Sequence, residues 1–331
     1  MMNKEPKILV VGSFVMDQIA VTSVIPREGQ TVLGKTFHKA PGGKGANQAV
    51  QAARLGAKVT MVGKLGRDAN GEEMLAVCRN AGVDVSHVLY DESVASGCAI
   101  IVLQEMENGS AQNRIIVIPG SNMTITEEEV RFLEKEIASY DIVILQHELP
   151  MNINVLVAEY AYKAGVPVML NPAPSAPIPA DLYRYLTYIS PNETEIEDLT
   201  GVRIAHTGGN ADREAVRRAA EILRGRGIKN VLVTLGSAGA LLLNDEGEFY
   251  SPCAPDVEAV DPTAAGDSFM GAFCVGVCHG WDWETILLFA NHTAAITVSG
   301  MGAMPSLPTF ETVMEGMKGR NISFLHFRPN T

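Results

Sequence analysis

The chain has 331 residues, 47% of them hydrophobic, enough to bury one large α/β core or two smaller ones. Its net charge of −12 argues against a nucleic-acid or anionic-membrane partner, because both need a basic face. The five cysteines are odd in number and irregular in spacing, which suits free thiols in a reducing cytoplasm and not a disulfide framework or a zinc site.

Residues 7–14, KILVVGSF, are a near-continuous apolar run of the kind found in a central parallel strand. No small-residue cleavage site follows, so this is a first strand and not a signal peptide. Residues 18–24 and 31–38 are more polar β-rich runs joined by turn residues at 25–29. A glycine-rich turn at 40–45 opens a helix that Gly56 ends. A buried-type strand at 58–66 and a helix at 71–81 come next. Residues 96–104 and 114–120 form a second β-rich pair around a polar turn at 105–112. With 18–38 they make a four-stranded flap built from two insertions, at about 15–40 and 96–120, into one domain spanning 1–331.

From 126 onward, strands and helices alternate. Helices are expected at 126–139, with Thr126 and Glu129 as a capping box, at 151–164 and at 213–225. Strands are expected at 141–145, 166–170, 186–189, 230–235 and 240–243. This order predicts a mostly parallel central sheet with helices on both faces, an α/β three-layer sandwich carrying a small β-sheet lid. Residues 285–310 carry no formal charge, but their glycines, prolines, Asn291 and His292 exclude a membrane span.

In such a sheet, ligands gather at the carboxyl ends of the strands. Asp17, Glu148, Asn171, Asn192, Glu195, Gly236 and Asp267 are all expected there, in one cleft. The stretch 261–280, DPTAAGDSFMGAFCVGVCHG, is the most telling. Small residues lead into a helix N-terminus, whose unpaired N–H groups and dipole suit a phosphate. Asp267 beside it could take a proton from a hydroxyl attacking that phosphate; equally, it could simply cap the helix. The GGKG turn at 42–45 fails the Walker pattern, because His38 and Gly45 stand where Gly and Ser or Thr are required. It fails the dinucleotide fingerprint too, since Gln48 holds the third glycine position. A nucleotide-cofactor oxidoreductase is therefore disfavoured. So many small residues before Lys44 imply close approach of a ligand.

PGGKGANQAV, NPAP, PNETE, TLGSAGA and DPTAAGD, in this order and at these spacings, resemble the ribokinase branch of the PfkB carbohydrate kinases. The likeness runs from about 7 to 306. It implies phosphoryl transfer from ATP to a sugar hydroxyl, the 5-hydroxyl of a pentose. Asp267 would be the base, and the backbone of Ala264, Ala265 and Gly266 the anion hole. Asp17, Gly43, Lys44, Asn47 and Glu148 would contact the sugar. Asn192 and Glu195 would stand near the triphosphate and hold Mg²⁺, largely through water. Thr234, Gly236, Ser237 and Gly239 would line the nucleotide phosphates, with Asn291 on the adenine side. Asp261 and Ser306, with carbonyls of Thr263, Thr297, Gly300 and Gly302, would hold an activating K⁺; the other reading is a polar loop satisfied by water. The flap would close over the sugar and pair two copies into a homodimer. One position departs from the pattern. Val15 stands where ribokinases carry an Asn that shares the ribose 2- and 3-hydroxyls, and similar deoxyribokinases carry an apolar residue there. Ribose comes first among the expected substrates and 2-deoxyribose second. A non-catalytic sugar-binding regulator is the alternative of a different class.

Overall fold

In a computed structural model, residues 5–106, 111–255 and 257–320 are described. Fifteen strands follow in chain order: β1 (Lys7–Val11), β2 (Val15–Thr22), β3 (Thr36–Gly42), β4 (Lys58–Gly66), β5 (Val88–Asp91), β6 (Cys98–Glu105), β7 (Ala111–Ile118), β8 (Ile142–Gln146), β9 (Val168–Asn171), β10 (Tyr188–Ile189), β11 (His206–Thr207), β12 (Asn210–Ala211), β13 (Asn230–Thr234), β14 (Ala240–Asn244) and β15 (Gly247–Ser251). Nine of them form one sheet in the order β15-β14-β13-β10-β9-β8-β1-β4-β5. All neighbours in it run parallel except β13–β14 and β14–β15.

The alternation of side chains along β1 divides two cores. Ile8 and Val10 pack with Ala46, Val50, Phe269, Phe273 and Phe289 on one face, and Leu9 and Val11 with Ile153, Val157, Val216 and Ala220 on the other. The first core takes the helices Lys44–Arg54, Ala265–His279, Trp283–Val298 and Phe310–Gly319; the second takes Met151–Ala164 and Arg213–Gly225. Both faces are covered, so β1, buried from Ile8 to Val11, can be apolar throughout that stretch. This is the expected three-layer α/β arrangement.

The flap is a separate four-stranded sheet, β3-β2-β6-β7. Its central pair, β2–β6, is parallel, and its outer pairs are antiparallel. The β2–β3 hairpin lies off the expected runs. β2 starts at Val15, and the connection covers residues 23–35 instead of a turn at 25–29. Starting β2 at Val15 aligns Val15 with Gly42 and Asp17 with Ala40, so the flap runs straight into the GGKG turn. Of the polar turn expected at 105–112, residues 107–110 lie outside the described residues.

Two edge strands, β5 and β15, escape the sequence pattern. Both are short and only partly buried, so they carry neither a long apolar run nor a clean alternation. The helix expected at 126–139 is three short pieces, Glu127–Val130, Leu133–Glu136 and the 3₁₀ turn Ile137–Ser139. The Thr126–Glu129 capping box is present. Backbone dihedrals stay right-handed through Arg131 and Phe132, but Arg131, Glu134 and Lys135 donate to carbonyls three residues back. That tighter winding still buries Val130, Leu133 and Ile137.

Candidate active site

A cleft of about 600 Å³ opens beside the ends of β9, β10 and β13. The helix Ala265–His279 points its N-terminus into it. Its cap, Ala264, is left-handed at φ 61, the only non-glycine residue with positive φ among those described. That conformation costs an alanine about 1 kcal/mol and turns the chain sharply onto the helix. The Ala265 N–H is spent on the Pro262 carbonyl at 3.2 Å, and the Ser268 N–H closes the first helical turn on Ala264. Gly266 and Asp267 therefore carry the first-turn N–H groups that helix geometry leaves without an internal acceptor. A Cβ placed on Gly266 would meet nothing within 4 Å, so open space faces that backbone.

Asp267 is 6% exposed and lines the cleft. Its Oδ2 accepts from Asn47 Nδ2 and its Oδ1 from Gln48 Nε2, both at 2.9 Å. Lys44 also lines the cleft. Burial pushes its ammonium pKa down, but the carboxylates of Asp267, Glu148 and Glu195 outweigh that and hold it above the ordinary value. Glu148 accepts from the Lys44 backbone N–H at 2.9 Å and from the Ser13 hydroxyl. Burial raises Asp17 to about 6, with help from the charges of Glu148 and Asp261. Gly43, Asn47 and Glu148 thus lie just beyond the cleft lining, reached through Lys44 and Asp267, and Asp17 lies within the fields of Glu148 and Asp261.

All eight residues expected at the nucleotide line the cleft: Asn192, Glu195, Thr234, Gly236, Ser237, Gly239, Gly266 and Asn291. Asn192 and Glu195 form a reciprocal capping box at the start of Glu193–Thr200, with backbone-to-side-chain bonds of 2.9 Å in both directions. Burial raises the Glu195 carboxyl, with Asp267 adding to the rise and the Asn192 N–H and Lys44 opposing it. The amide of Asn291 is already engaged, donating to the Ser251 and Pro252 carbonyls at 3.0 and 3.1 Å. Its position closes the wall formed by Cys253, Val257, Ala294, Ala295 and Val298.

Asp261 sits beside this cleft. Its Oδ1 accepts from the Thr263 N–H and hydroxyl at 2.9 and 2.5 Å, and its Oδ2 from the Gly302 N–H at 2.9 Å. Gly300 packs so closely on Ser306 that a Cβ there would lie 2.8 Å from Ser306 Cβ, and the Gly300 N–H reaches the Thr297 carbonyl at 3.1 Å. The six residues expected around K⁺ are therefore joined in two touching groups, with Gly302 two residues from Gly300.

The glycines of the GGKG turn serve the protein's own packing. A Cβ on Gly43 would fall 2.6 Å from the Val15 nitrogen, and Gly43 has φ 96. One on Gly45 would fall 2.5 Å from the Ser13 nitrogen, and one on Gly12 2.7 Å from Gly45 Cα. At these two positions the small residues are required by the protein's own packing, whether or not a ligand also approaches the turn. Sequence reading also passed over Gln48, Gln146, Ser13 and Ser190. Gln48 drew notice only as a missing glycine, and no local pattern marks the others.

A model of the pfkB family of carbohydrate kinases matches residues 5–310. The chain belongs to that family. It is a carbohydrate kinase, a phosphotransferase with an alcohol acceptor. The ribokinase of Haemophilus influenzae is 35% identical over 306 residues, covering 92% of this chain and 96% of that one. The deoxyribokinase of Salmonella typhi is 33% identical over 309 residues, covering 93% and 97%. The structure of Arabidopsis thaliana ribokinase complexed with ribose and ATP superposes with a TM-score of 0.86 at 34% identity, covering 95% of this chain and 99% of that one. In this kinase, therefore, the overall chain trace follows a plan shared with that structure.

Proposed function

We propose that this kinase transfers the γ-phosphoryl group of ATP to the 5-hydroxyl of a pentose, giving the 5-phosphate and ADP. The observation that carries the reading is Asp267: a buried carboxylate at the cleft wall, one residue past the open backbone of Gly266. Asp267 accepts the proton of the attacking hydroxyl. The N–H groups of Gly266 and Asp267, with the turn at Ala264 and Ala265, stabilise negative charge on the transferring group. Little covalent work falls to the protein in such a transfer; position and charge do most of it. Lys44, held charged among three carboxylates, presents a cation to the same space.

The sugar is held by Asp17, Gly43, Lys44, Asn47 and Glu148. Asn47 Oδ1 is buried with no protein partner, as suits an acceptor kept for a substrate hydroxyl. The nucleotide takes the length of the cleft past Asn192, Glu195, Thr234, Gly236, Ser237 and Gly239 to Asn291. Mg²⁺ fits beside Asn192 and Glu195 through water, because their capping bonds leave further lone pairs on hard oxygen atoms. When bound, it neutralises phosphate charge. K⁺ would sit at the Asp261 to Ser306 group, where Asp261 accepts from Gly302 and Gly300 packs on Ser306. Thr297 links that group to the base, since its hydroxyl meets Ser268 at 2.6 Å, next to Asp267. The consecutive exposed residues Ile115, Ile116, Val117 and Ile118 on the edge strand β7 support a homodimer through the flap. The free cysteines and the need for ATP suit the cytoplasm.

Ribose leads as substrate on the likeness to ribokinases. A specific observation favours 2-deoxyribose as a second reading. Val15 is 6% exposed and shares a strand face with Asp17, so no hydrogen-bonding group lies beside that carboxylate from this position. The test is ADP release with ATP and either sugar, followed by product phosphate position by NMR. Turnover of neither sugar, or phosphate elsewhere than on the 5-hydroxyl, refutes the reading.

A further inference from the structure

Next to Asp267 lies a chain of buried side-chain amides. Gln48 and Gln146 are both fully shielded, at 0% exposure. Gln48 Nε2 donates to Asp267 Oδ1 at 2.9 Å and to Asn171 Oδ1 at 3.2 Å, and Gln48 Oε1 accepts from Gln146 Nε2 at 2.8 Å. Asn171 Nδ2 donates to the Ser190 carbonyl at 3.0 Å, and Asn154 Nδ2 to the Gln146 carbonyl at 2.7 Å.

The chemistry allows only one orientation of these amides. A backbone carbonyl only accepts, so the NH₂ of Asn171 must face Ser190, and its Oδ1 must face Gln48. An ionised carboxylate only accepts as well. Asp267 and Asn171 therefore both require the NH₂ end of Gln48. Its oxygen then points at Gln146, which must supply a donor. All polar atoms of the Gln48 amide are engaged, in a core where an unused amide would be costly.

We propose that Gln48 is a positioning residue for Asp267, and that Gln146 acts through Gln48 by fixing which end of its amide meets the carboxylate. The bond to Oδ1 sets the rotation of the carboxyl group. This rests on the reading of Asp267 as the base. The charged groups facing Asp267 are Lys44, from the helix that carries Gln48, and Glu195, from the helix Glu193–Thr200; neither is altered by the substitutions below.

The experiment measures kcat and both KM values against pH for the parent, Gln48→Met, Gln146→Met, the double variant and Asp267→Asn, with melting temperatures for each. Methionine keeps the length and removes the amide. Gln48→Met is expected to lower kcat about tenfold to a hundredfold, the worth of a hydrogen bond to a charged group. Both KM values change less than about threefold. Gln146→Met lowers kcat in the same way by less, and the double variant is no slower than Gln48→Met, because the two act in series. A lowered melting temperature with an unchanged kcat, or losses that multiply in the double variant, overturns the proposal and leaves a packing role. Should Gln48→Met not fold, Gln146→Met alone decides by the same split between kcat and KM. A parent that does not turn over, or an Asp267→Asn variant as fast as the parent, refutes the base itself, which is a different result from an unchanged kcat in an active variant.

Discussion

Asp267 and Asp17 are both carboxylates of the proposed sugar side, yet their surroundings differ. Two amide donors meet the Asp267 carboxyl, one on each oxygen. Asp267→Asn keeps the shape and removes the proposed base, so kcat should fall about 10²- to 10⁴-fold with little change in KM, read by coupled ADP release. Among the described residues no such donor reaches Asp17, and burial with two like charges lifts it to about 6. The sign follows directly. Sugar hydroxyls donate to the ionised form, and protonation dominates below about 6. The sugar KM should therefore climb as pH falls through 6 and level off above it. Asp17→Asn should flatten that rise; a KM rise that survives in Asp17→Asn assigns it to another group. Val15→Asn restores a partner for the 2-hydroxyl and should raise the ribose to deoxyribose ratio of kcat/KM about tenfold, since an unpaired hydroxyl costs about 1–3 kcal/mol. At this scale, Asp267, Lys44 and Glu195 were legible because each stands in a local motif. Gln48 was not: its partner lies 219 positions away in the chain.

The helix Lys44–Arg54 is the element on which the proposed sugar side is built. It carries Lys44, Asn47 and Gln48, and it lies on β1 with backbone nearly touching backbone at Gly45 and Gly12. Gly45→Ala would force a Cβ to within 2.5 Å of the Ser13 nitrogen. Relief means displacing the helix, so stability should fall by about 1–3 kcal/mol in thermal or denaturant unfolding, as for other overpacked sites. The sugar KM should rise with it, because Ser13 and Lys44 both hold Glu148. A variant as stable as the parent would show that the helix has room to move. A helix start was readable where a capping box announced it, as at Thr126. The interior of 126–139 was not, since a 3₁₀ winding and an α-helix bury the same apolar spacing.

The whole molecule combines a sheet covered on both faces with a flap that leaves an apolar edge bare. Ile116 is 65% exposed on β7, the outer strand of that flap. Ile116→Asp puts a charge where a second copy would dock, and sedimentation velocity should show the parent as a dimer and the variant as a monomer. A monomeric parent would remove the flap-pairing proposal. Taken alone, the amino-acid order settled the alternation of strands and helices and the capping box at Thr126, because these follow from short-range periods and caps. Tertiary structure alone decided the sheet order, the parallel β2–β6 pair, the antiparallel edge of β14 and β15, and the amide chain that grips Asp267. Those depend on contacts between distant segments, and no local period records which of two buried groups will meet.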